Sequence, residues 1–367
     1  MKRAIVVLPT YNESGNIQSL VESIFTNAET IKGWDIGVLV VDSTSPDGTA
    51  DIVRAIQKSN PNIFLLVTGK NGLGKAYLDG FDYAIRKLQA DVVFEMDADL
   101  SHDPKDMGKF LSAIEKGADM VIGTRYSKGG SIPANWGLHR KILSISANLI
   151  VRLGFMNLKQ TEWTNGYRAI KKWVVQKLTP EMSNYTGYVF QVAFLDKAFK
   201  SGARVSEVPV HFVDRAEGVS KISAPQYVFQ TLFYVFTHSS FVKFVIVGLT
   251  GAVIDFGLAF VLKTNGLAIL FANALSAETA IVSNYLMNNY WSFAHNKVQG
   301  GLLAQLFNLL KFNLVSLGNI VIQLVGINIG IMIAGERYWM LYKFLTIGFV
   351  VIPYSYILYN RIIWKKK

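Results

Sequence analysis

Residues Val92 to Pro104 read VVFEMDADLSHDP, a short β-branched and aromatic run that ends in two aspartates spaced by one residue. A run of this length, with turn residues on its far side, has the pattern of a buried strand. The surrounding sequence repeats it. Arg3–Leu8, Ile36–Val41, Ile63–Val67, Val92–Met96 and Met120–Ile122 are similar runs, and helical patterns follow from about Glu13, from about Gly48, over Lys75–Leu88 and over Lys105–Lys116. Strands alternating with helices predict a mostly parallel, doubly wound α/β sheet. Such sheets bind ligands beyond the carboxyl ends of their strands.

Polar residues gather at those ends. Pro9-Thr10-Tyr11-Asn12-Glu13 follows the first strand, Asp42 ends the second, and Asp97 and Asp99 follow the fourth. Aspartates are common in turns, so a lone DxD says little. After an apolar strand, with Asp42 ending a neighbouring one, the pair suits a hard cation, Mg²⁺ or Mn²⁺, carried with a diphosphate. The stretch GKNGLGKA, Gly69 to Ala76, has the spacing of a phosphate loop, but Ala76 stands where such loops need a metal-holding hydroxyl. It is either a close-approach loop walling a nucleotide pocket or an ordinary glycine-rich turn into the next helix.

Composition divides the 367 residues unevenly: charged and apolar residues mix up to about Val210, and long apolar runs take over beyond about Ser240. The net charge of +11 has no basic run behind it except Lys365, Lys366 and Lys367, which argues for anionic headgroups or phosphorylated substrates and against nucleic acid. With no cysteine, disulfide and thiolate chemistry are excluded. The opening MKRAIVVLPTYNES has too short an apolar stretch for a signal peptide, so the first domain is expected to stay in the cytoplasm.

Four membrane spans are predicted, at Phe244–Leu262, about Leu267–Met287, Phe312–Ala334 and Trp339–Ile363. Asn273, Glu278 and Asn284 interrupt the second, and Pro353 should kink the fourth. With the first domain inside, Lys243, Lys297, Lys311, Arg361 and the terminal lysines fall on the cytoplasmic side against Lys263 and Arg337 outside. VKFVIVGLTGAVIDF from Val242 aligns with LKFNLVSLGNIVIQL from Leu310, a two-plus-two duplication. Asp255 and Glu278, within spans, either line a headgroup path or form a hydrogen-bonded pair that locks two helices. The aromatic stretch Ala224–Phe241 is expected to lie on the membrane surface. Amphipathic Arg140–Phe155 either joins it there or packs inside the soluble domain.

The motifs PTYNE, VVDSTSPDGT, GLGKAYLDGF, MDADLSHDP, GTRY, WTNGYRA, GYVFQ and FVDRAEGVSK, in this order, resemble the dolichol (polyprenol) phosphate mannose synthases, inverting family 2 glycosyltransferases. The likeness covers roughly residues 1–221. It implies a GT-A (Rossmann-like) α/β domain over 1–223, followed by an interfacial helix over 224–241 and an all-α, four-helix transmembrane domain over 242–367 that looks GtrA-like. It further implies transfer of mannose from GDP-mannose to a polyprenyl or dolichyl monophosphate in the bilayer, by an integral cell-membrane protein, giving polyprenyl phosphate mannose and GDP. On this likeness Pro9, Tyr11, Glu13 and Asp42 hold the nucleotide, and Asp97, Asp99 and Ser101 hold Mg²⁺ or Mn²⁺. Arg215 and Lys221 neutralise the leaving GDP, while Arg125, Arg140 and Ser144 receive the acceptor phosphate. The chain departs from the family pattern at Ser43, Ser101, Glu162 and Asn165, and at Ala193, where an acidic residue is common. Arg125 and Arg140 otherwise read as surface ion-pair partners, and His102 and His139 as packing or supporting residues. A UDP-sugar donor is the alternative within the same class; a lipid-linked sugar transport or binding protein is the alternative outside it.

Overall fold

The computed structural model describes residues 1–185, 187, 189–214 and 224–365, the side chains of 224–226 excepted. Two compact units divide it, residues 1–234 and 235–367.

The first unit is built on a seven-stranded sheet of order β3-β2-β1-β4-β6-β5-β7. Strands β1 (Lys2–Thr10), β2 (Trp34–Asp42), β3 (Ile63–Val67) and β4 (Val92–Glu95) pair in parallel. Helices α1 (Ile17–Ala28), α2 (Thr49–Gln57) and α3 (Leu73–Arg86) connect them, and α4 (Met107–Glu115) follows β4. Period-two burial sorts the side chains. Val92, Phe94 and Met96 join Ala4, Val6 and Leu8 in the core beneath α1 and α4. On the opposite face α3 approaches so closely that a Cβ on Gly80 would lie 2.5 Å from Val7.

Two strands lie beyond the sequence reading. Strand β5 (Met120–Thr124) is not beside β4: β6 (Arg168–Lys171) inserts between them, antiparallel to both, and β7 (Val205–Pro209) adds to β5 in parallel. Between these strands run α5 (Leu138–Gly154), α6 (Lys172–Met182) and α7 (Phe190–Lys200). Helix α8 (Ala224–His238) contains the division between the units. Its Tyr234 donates to Asp196 Oδ2 on α7 at 2.8 Å and packs edge-on against Tyr185.

The second unit is helical: α9 (Ser240–Thr264), α10 (Ile269–Met287), α11 (Leu302–Ala334), and α12 (Trp339–Thr346) continued through a π-helical turn into α13 (Ile352–Ile362). Among the described residues three stretches are long and apolar enough to cross a bilayer, Ser240–Thr264, Leu302–Ala334 and Glu336–Ile362. The remaining helix, α10, is the one that Asn273, Glu278 and Asn284 interrupt. It is joined to α9 by Ser276 Oγ donating to Asp255 Oδ1 at 2.6 Å, while Glu278 is exposed. The lock foreseen at Asp255 therefore closes on Ser276 and not on Glu278.

The duplicated sequence becomes a reciprocal core. Tyr285 and Phe293 stand four residues either side of Asn289, and Tyr356 and Trp364 four either side of Asn360. Tyr285 of the first copy packs on Phe312 and Trp364 of the second, at 5.9 and 6.1 Å between ring centroids. Tyr356 of the second packs on Phe244 and Phe293 of the first, at 5.7 and 5.6 Å. Phe293 and Trp364 stack at 4.5 Å where the copies meet.

Candidate active site

The loops after β1 and β2 are tied together at the carboxyl edge of the sheet. Asp42, almost fully buried, accepts from Thr10 Oγ1 at 3.0 Å, from Ser45 N at 2.9 Å and from Ser45 Oγ at 2.5 Å. Across the gap, Asn12 N donates to Ser45 Oγ, Glu13 N to Thr49 Oγ1 and Ser14 N to Asp47 Oδ2. Asn12 and Thr44 sit at φ of +59° and +55°, the left-handed region a sharp polar turn needs. Pro9 pairs with Val41 in the sheet, and the Glu13 carboxylate accepts from Asn16 Nδ2. Tyr11 lies under the Lys70 ammonium, 3.7 Å from its ring centre.

Lys70 belongs to the glycine-rich stretch, which can now be read. A Cβ on Gly74 would lie 2.3 Å from the Tyr185 carbonyl oxygen and 2.9 Å from the Phe190 ring. The close approach that requires this glycine is to the chain's own backbone, and Lys75 pairs with Asp79 one turn along α3.

The DxD turn is held from behind. Asp97 N donates to His102 Nδ1 at 3.1 Å, which leaves the ring proton on Nε2, where it is given to Asn165 Oδ1 at 3.0 Å. Asn165 Nδ2 in turn donates to the Gly123 carbonyl at 2.7 Å. His102 also stacks on Tyr167 at 5.0 Å, so it supports the turn, as expected of it. The Asp97 carboxylate accepts from Tyr77 at 3.3 Å, and a Cβ on Gly166 would lie 3.6 Å from it. Asp99 accepts from both the backbone N and the hydroxyl of Ser101, at 3.1 and 2.6 Å, with Leu100 between them at φ +63°. Among the described residues no three His, Asp or Glu side chains form a metal-holding group. Two carboxylates and a hydroxyl suit Mg²⁺ or Mn²⁺, which keep several waters and share their remaining positions with substrate phosphates.

Behind Asp97 lies a buried pair that sequence reasoning missed. Glu95 and Arg168 are both fully buried, 3.8 Å apart. Burial pushes the Glu95 carboxyl up to about 7, against the pull of Arg168 and the Gln191 amide. The signal was an acid inside an otherwise apolar strand.

Arg125 makes a buried fork with Glu162, Nε to Oε2 at 2.8 Å and Nη2 to Oε1 at 3.0 Å, and Nη2 also reaches Thr164 Oγ1 at 2.9 Å. Burial alone would raise the Glu162 carboxyl, but the Arg125 charge and its hydrogen bonds bring it below the ordinary range. Arg140 is half exposed, stacked 3.9 Å over Trp136 and loosely paired with Asp214 at 3.4 Å. Ser144, one turn further along α5, shares a 2.5 Å hydrogen bond with the Tyr126 hydroxyl. Arg215 and Lys221 lie outside the described residues.

Helix α5 is turned inside out relative to a helix of a water-soluble domain. Two of its polar residues face the protein: Ser144 meets Tyr126, and buried Asn148 accepts from Trp163 N at 3.0 Å and donates to the Thr161 carbonyl. Val151 is buried, but most of the helix's large apolar residues face outward, with Leu138 73 % exposed and Ile142, Leu143, Ile145, Leu149, Ile150 and Leu153 all exposed.

Comparison with known proteins adds the following. The family model described as glycosyl transferase family 2 matches residues 5–184, and that of the GtrA/DPMS transmembrane domain matches 243–364. The chain is 30 % identical over 328 residues to the dolichol-phosphate mannosyltransferase of Pyrococcus furiosus, covering 87 % of this chain and 88 % of that one. It is 37 % identical over 224 residues to the polyprenol monophosphomannose synthase of Mycolicibacterium smegmatis, covering 60 % and 82 %. The undecaprenyl-phosphate mannosyltransferase of Micrococcus luteus is 37 % identical over 222 residues, covering 60 % and 88 %. Among solved structures, glucosyl-3-phosphoglycerate synthase from Mycobacterium tuberculosis, in complex with Mn²⁺, UDP-glucose and phosphoglyceric acid, has a TM-score of 0.47 at 18 % identity, covering 64 % of this chain and 79 % of that one. That likeness is too slight to carry a functional argument.

Proposed function

The chain belongs to the polyprenyl-phosphate mannosyltransferases of glycosyl transferase family 2, and on that premise we propose that it transfers mannose from GDP-mannose, with inversion, to a polyprenyl or dolichyl monophosphate at the cytoplasmic face of the cell membrane. The nucleotide lies over the loops after β1 and β2, against Pro9, Tyr11, Glu13 and Asp42. Asp97 and Asp99, with Ser101 beside them, hold Mg²⁺ or Mn²⁺, which when bound neutralises the diphosphate of the donor. Arg215 and Lys221 add to that neutralisation as GDP leaves.

The acceptor needs little activation. A phosphate monoester has its second pKa near ~6, so it arrives largely as an anion and needs no strong general base. The harder task is to hold it near an anionic donor. Arg140 and Ser144, one turn apart on α5, receive the phosphate; the 3.4 Å contact of Arg140 with Asp214 is loose enough for a more highly charged partner to replace it. Arg125 is fixed by Glu162 and presents a preset guanidinium edge to the same phosphate. Attack by one phosphate oxygen on the sugar carbon from the side opposite GDP is a single displacement, which inverts the configuration. The observation that supports this reading is α5: Arg140 and Ser144 share a helix with an outward apolar face, one suited to bed in the bilayer that holds a polyprenyl chain.

The test is transfer of radiolabel into the organic phase by the purified full chain in lipid vesicles with Mn²⁺ and a polyprenyl phosphate, from GDP-mannose compared with UDP-glucose. Label from GDP-mannose alone is expected, and Asp99→Ala should lower it at least ~100-fold with membrane insertion intact. Label from UDP-glucose alone overturns the donor, and near-normal transfer by the Asp99 variant overturns the metal site.

A further inference from the structure

A buried arginine whose three nitrogens each donate to a backbone carbonyl is a device for fixing backbone, and Arg168 is one. Its Nε donates to the Asn165 carbonyl at 2.8 Å, Nη2 to the Trp163 carbonyl at 3.2 Å and Nη1 to the Gln191 carbonyl at 2.9 Å. The first two lie in the loop before β6 and the third in the first turn of α7. Arg168 therefore ties that loop to that helix at three points.

The tied loop lies beside the Asp97 carboxylate, and the tied helix is linked to it through Tyr77. Gly166, the residue after clamped Asn165, lies beside that carboxylate: a Cβ there would lie 3.6 Å from Asp97 Oδ1 and 3.3 Å from Gln191 Nε2. On the third side Tyr77 donates to Asp97 Oδ1 at 3.3 Å, and its ring stacks at 6.1 Å on Phe190, the residue before Gln191. Two neighbours of Asp97, Gly166 and Tyr77, thus adjoin the segments that Arg168 holds.

Arg168 needs a counter-charge to remain buried, because a guanidinium in the interior is tolerated only when paired. Glu95 supplies it. The two residues are directly opposite in the antiparallel pairing of β4 with β6, so their side chains share a face of the sheet. Glu162, the other acid nearby, is committed to Arg125. Neither Glu95 oxygen makes a hydrogen bond of normal geometry, so its link to Arg168 is the 3.8 Å approach of the two side chains.

We propose that the Glu95–Arg168 pair is a positioning device for Asp97, acting through Gly166 and the first turn of α7 and touching neither donor nor acceptor. The inference rests on the reading of Asp97 as a residue that holds the metal of a nucleotide-sugar donor.

The experiment compares the full chain with Glu95→Gln and with the double variant Glu95→Leu/Arg168→Met, in the same detergent. Three quantities are measured: the thermal midpoint, the Mn²⁺ dependence of GDP binding by calorimetry, and transfer. Glu95→Gln strands a buried guanidinium and is expected to lower the midpoint by several degrees. The apolar pair removes both charges and should restore the midpoint. A purely structural pair would then restore everything else. The proposal expects otherwise: the Mn²⁺-dependent gain in GDP affinity stays reduced about 10-fold in the double variant, and kcat falls by a similar factor. Wild-type Mn²⁺ dependence in a folded double variant overturns it. Gly166→Val reads the same link from its other end with the pair left intact, and decides the matter if the double variant does not fold. Weakened Mn²⁺-dependent binding at a near-normal midpoint supports the proposal, and unchanged binding overturns it. If the wild-type chain binds GDP with Mn²⁺ yet transfers no mannose, the functional reading fails while these binding results still stand or fall by themselves.

Discussion

At the scale of single residues, the buried acids carry the strongest predictions. Glu162 accepts from Arg125, Thr164 and the Asn165 backbone, so Glu162→Gln leaves Arg125 buried without its counter-charge. The expected cost is about 3 kcal/mol or more, read as a lowered thermal midpoint of the full chain. Asp119 provides a pH test away from the site. Burial tends to raise its carboxyl, but the Arg204 backbone and side chain, Lys171 and Trp173 outweigh that and bring it from 3.8 to about 2. A depressed folded value means stability that is fully present above pH ~4 and is lost as pH falls toward ~2, on the order of 2 kcal/mol. Asp119→Asn should therefore lower stability at pH 6 and flatten the acid limb of the stability profile; an unchanged limb would count against the assignment. These two acids show where legibility stops. Asp97, Asp99 and Asp42 were readable because turn acids after strands form a local pattern, whereas Glu95, Glu162 and Glu207 act through partners tens of residues away. The Glu207 carboxylate, for instance, collects Gln160, both Thr161 donors and the Glu162 backbone.

At the scale of elements, α5 separates two kinds of interaction that sequence leaves mixed. Periodicity showed that Arg140–Phe155 is amphipathic but not which face turns inward, since a helix on a membrane and one on a core carry the same stripe. The Asn148 contacts decide it. Asn148→Ala leaves the buried Trp163 N–H without an acceptor and should destabilise the fold by about 1–3 kcal/mol. Leu149→Glu, on the outward face, should change stability by under about 0.5 kcal/mol. It should slow transfer to a long-chain acceptor in vesicles several-fold, while a short-chain, water-soluble acceptor is used as before. Equal loss on both acceptors would detach α5 from the bilayer. The strands after β4 were illegible for a different reason. Strands β6 and β7 are four and five residues long and owe their place to pairing with β5, a long-range property that local pattern does not contain.

At the scale of the whole molecule, the division into a charged α/β unit and an apolar helical unit was legible from composition alone, because the two solvents select different residues. Close packing inside the helical unit was not. Gly326 and Gly330 on α11 face Thr346 and Tyr342, where added Cβ atoms would lie 2.4 and 2.3 Å from side-chain atoms. Gly330→Leu should therefore separate α11 from α12 and lower the detergent-resistant thermal midpoint, whereas Gly257→Leu, in open space on α9, should not. The reciprocal core has a consequence for biogenesis. Each copy's tyrosine completes the other copy's aromatic cluster, so Phe244 and Phe293 of the first copy have only each other until Tyr356 and Trp364 have been synthesised, 112 and 71 residues later respectively. During translation the first helical pair is an open half-shell. Its surface complements the second pair of the same chain and, by the same geometry, that of a neighbouring nascent chain.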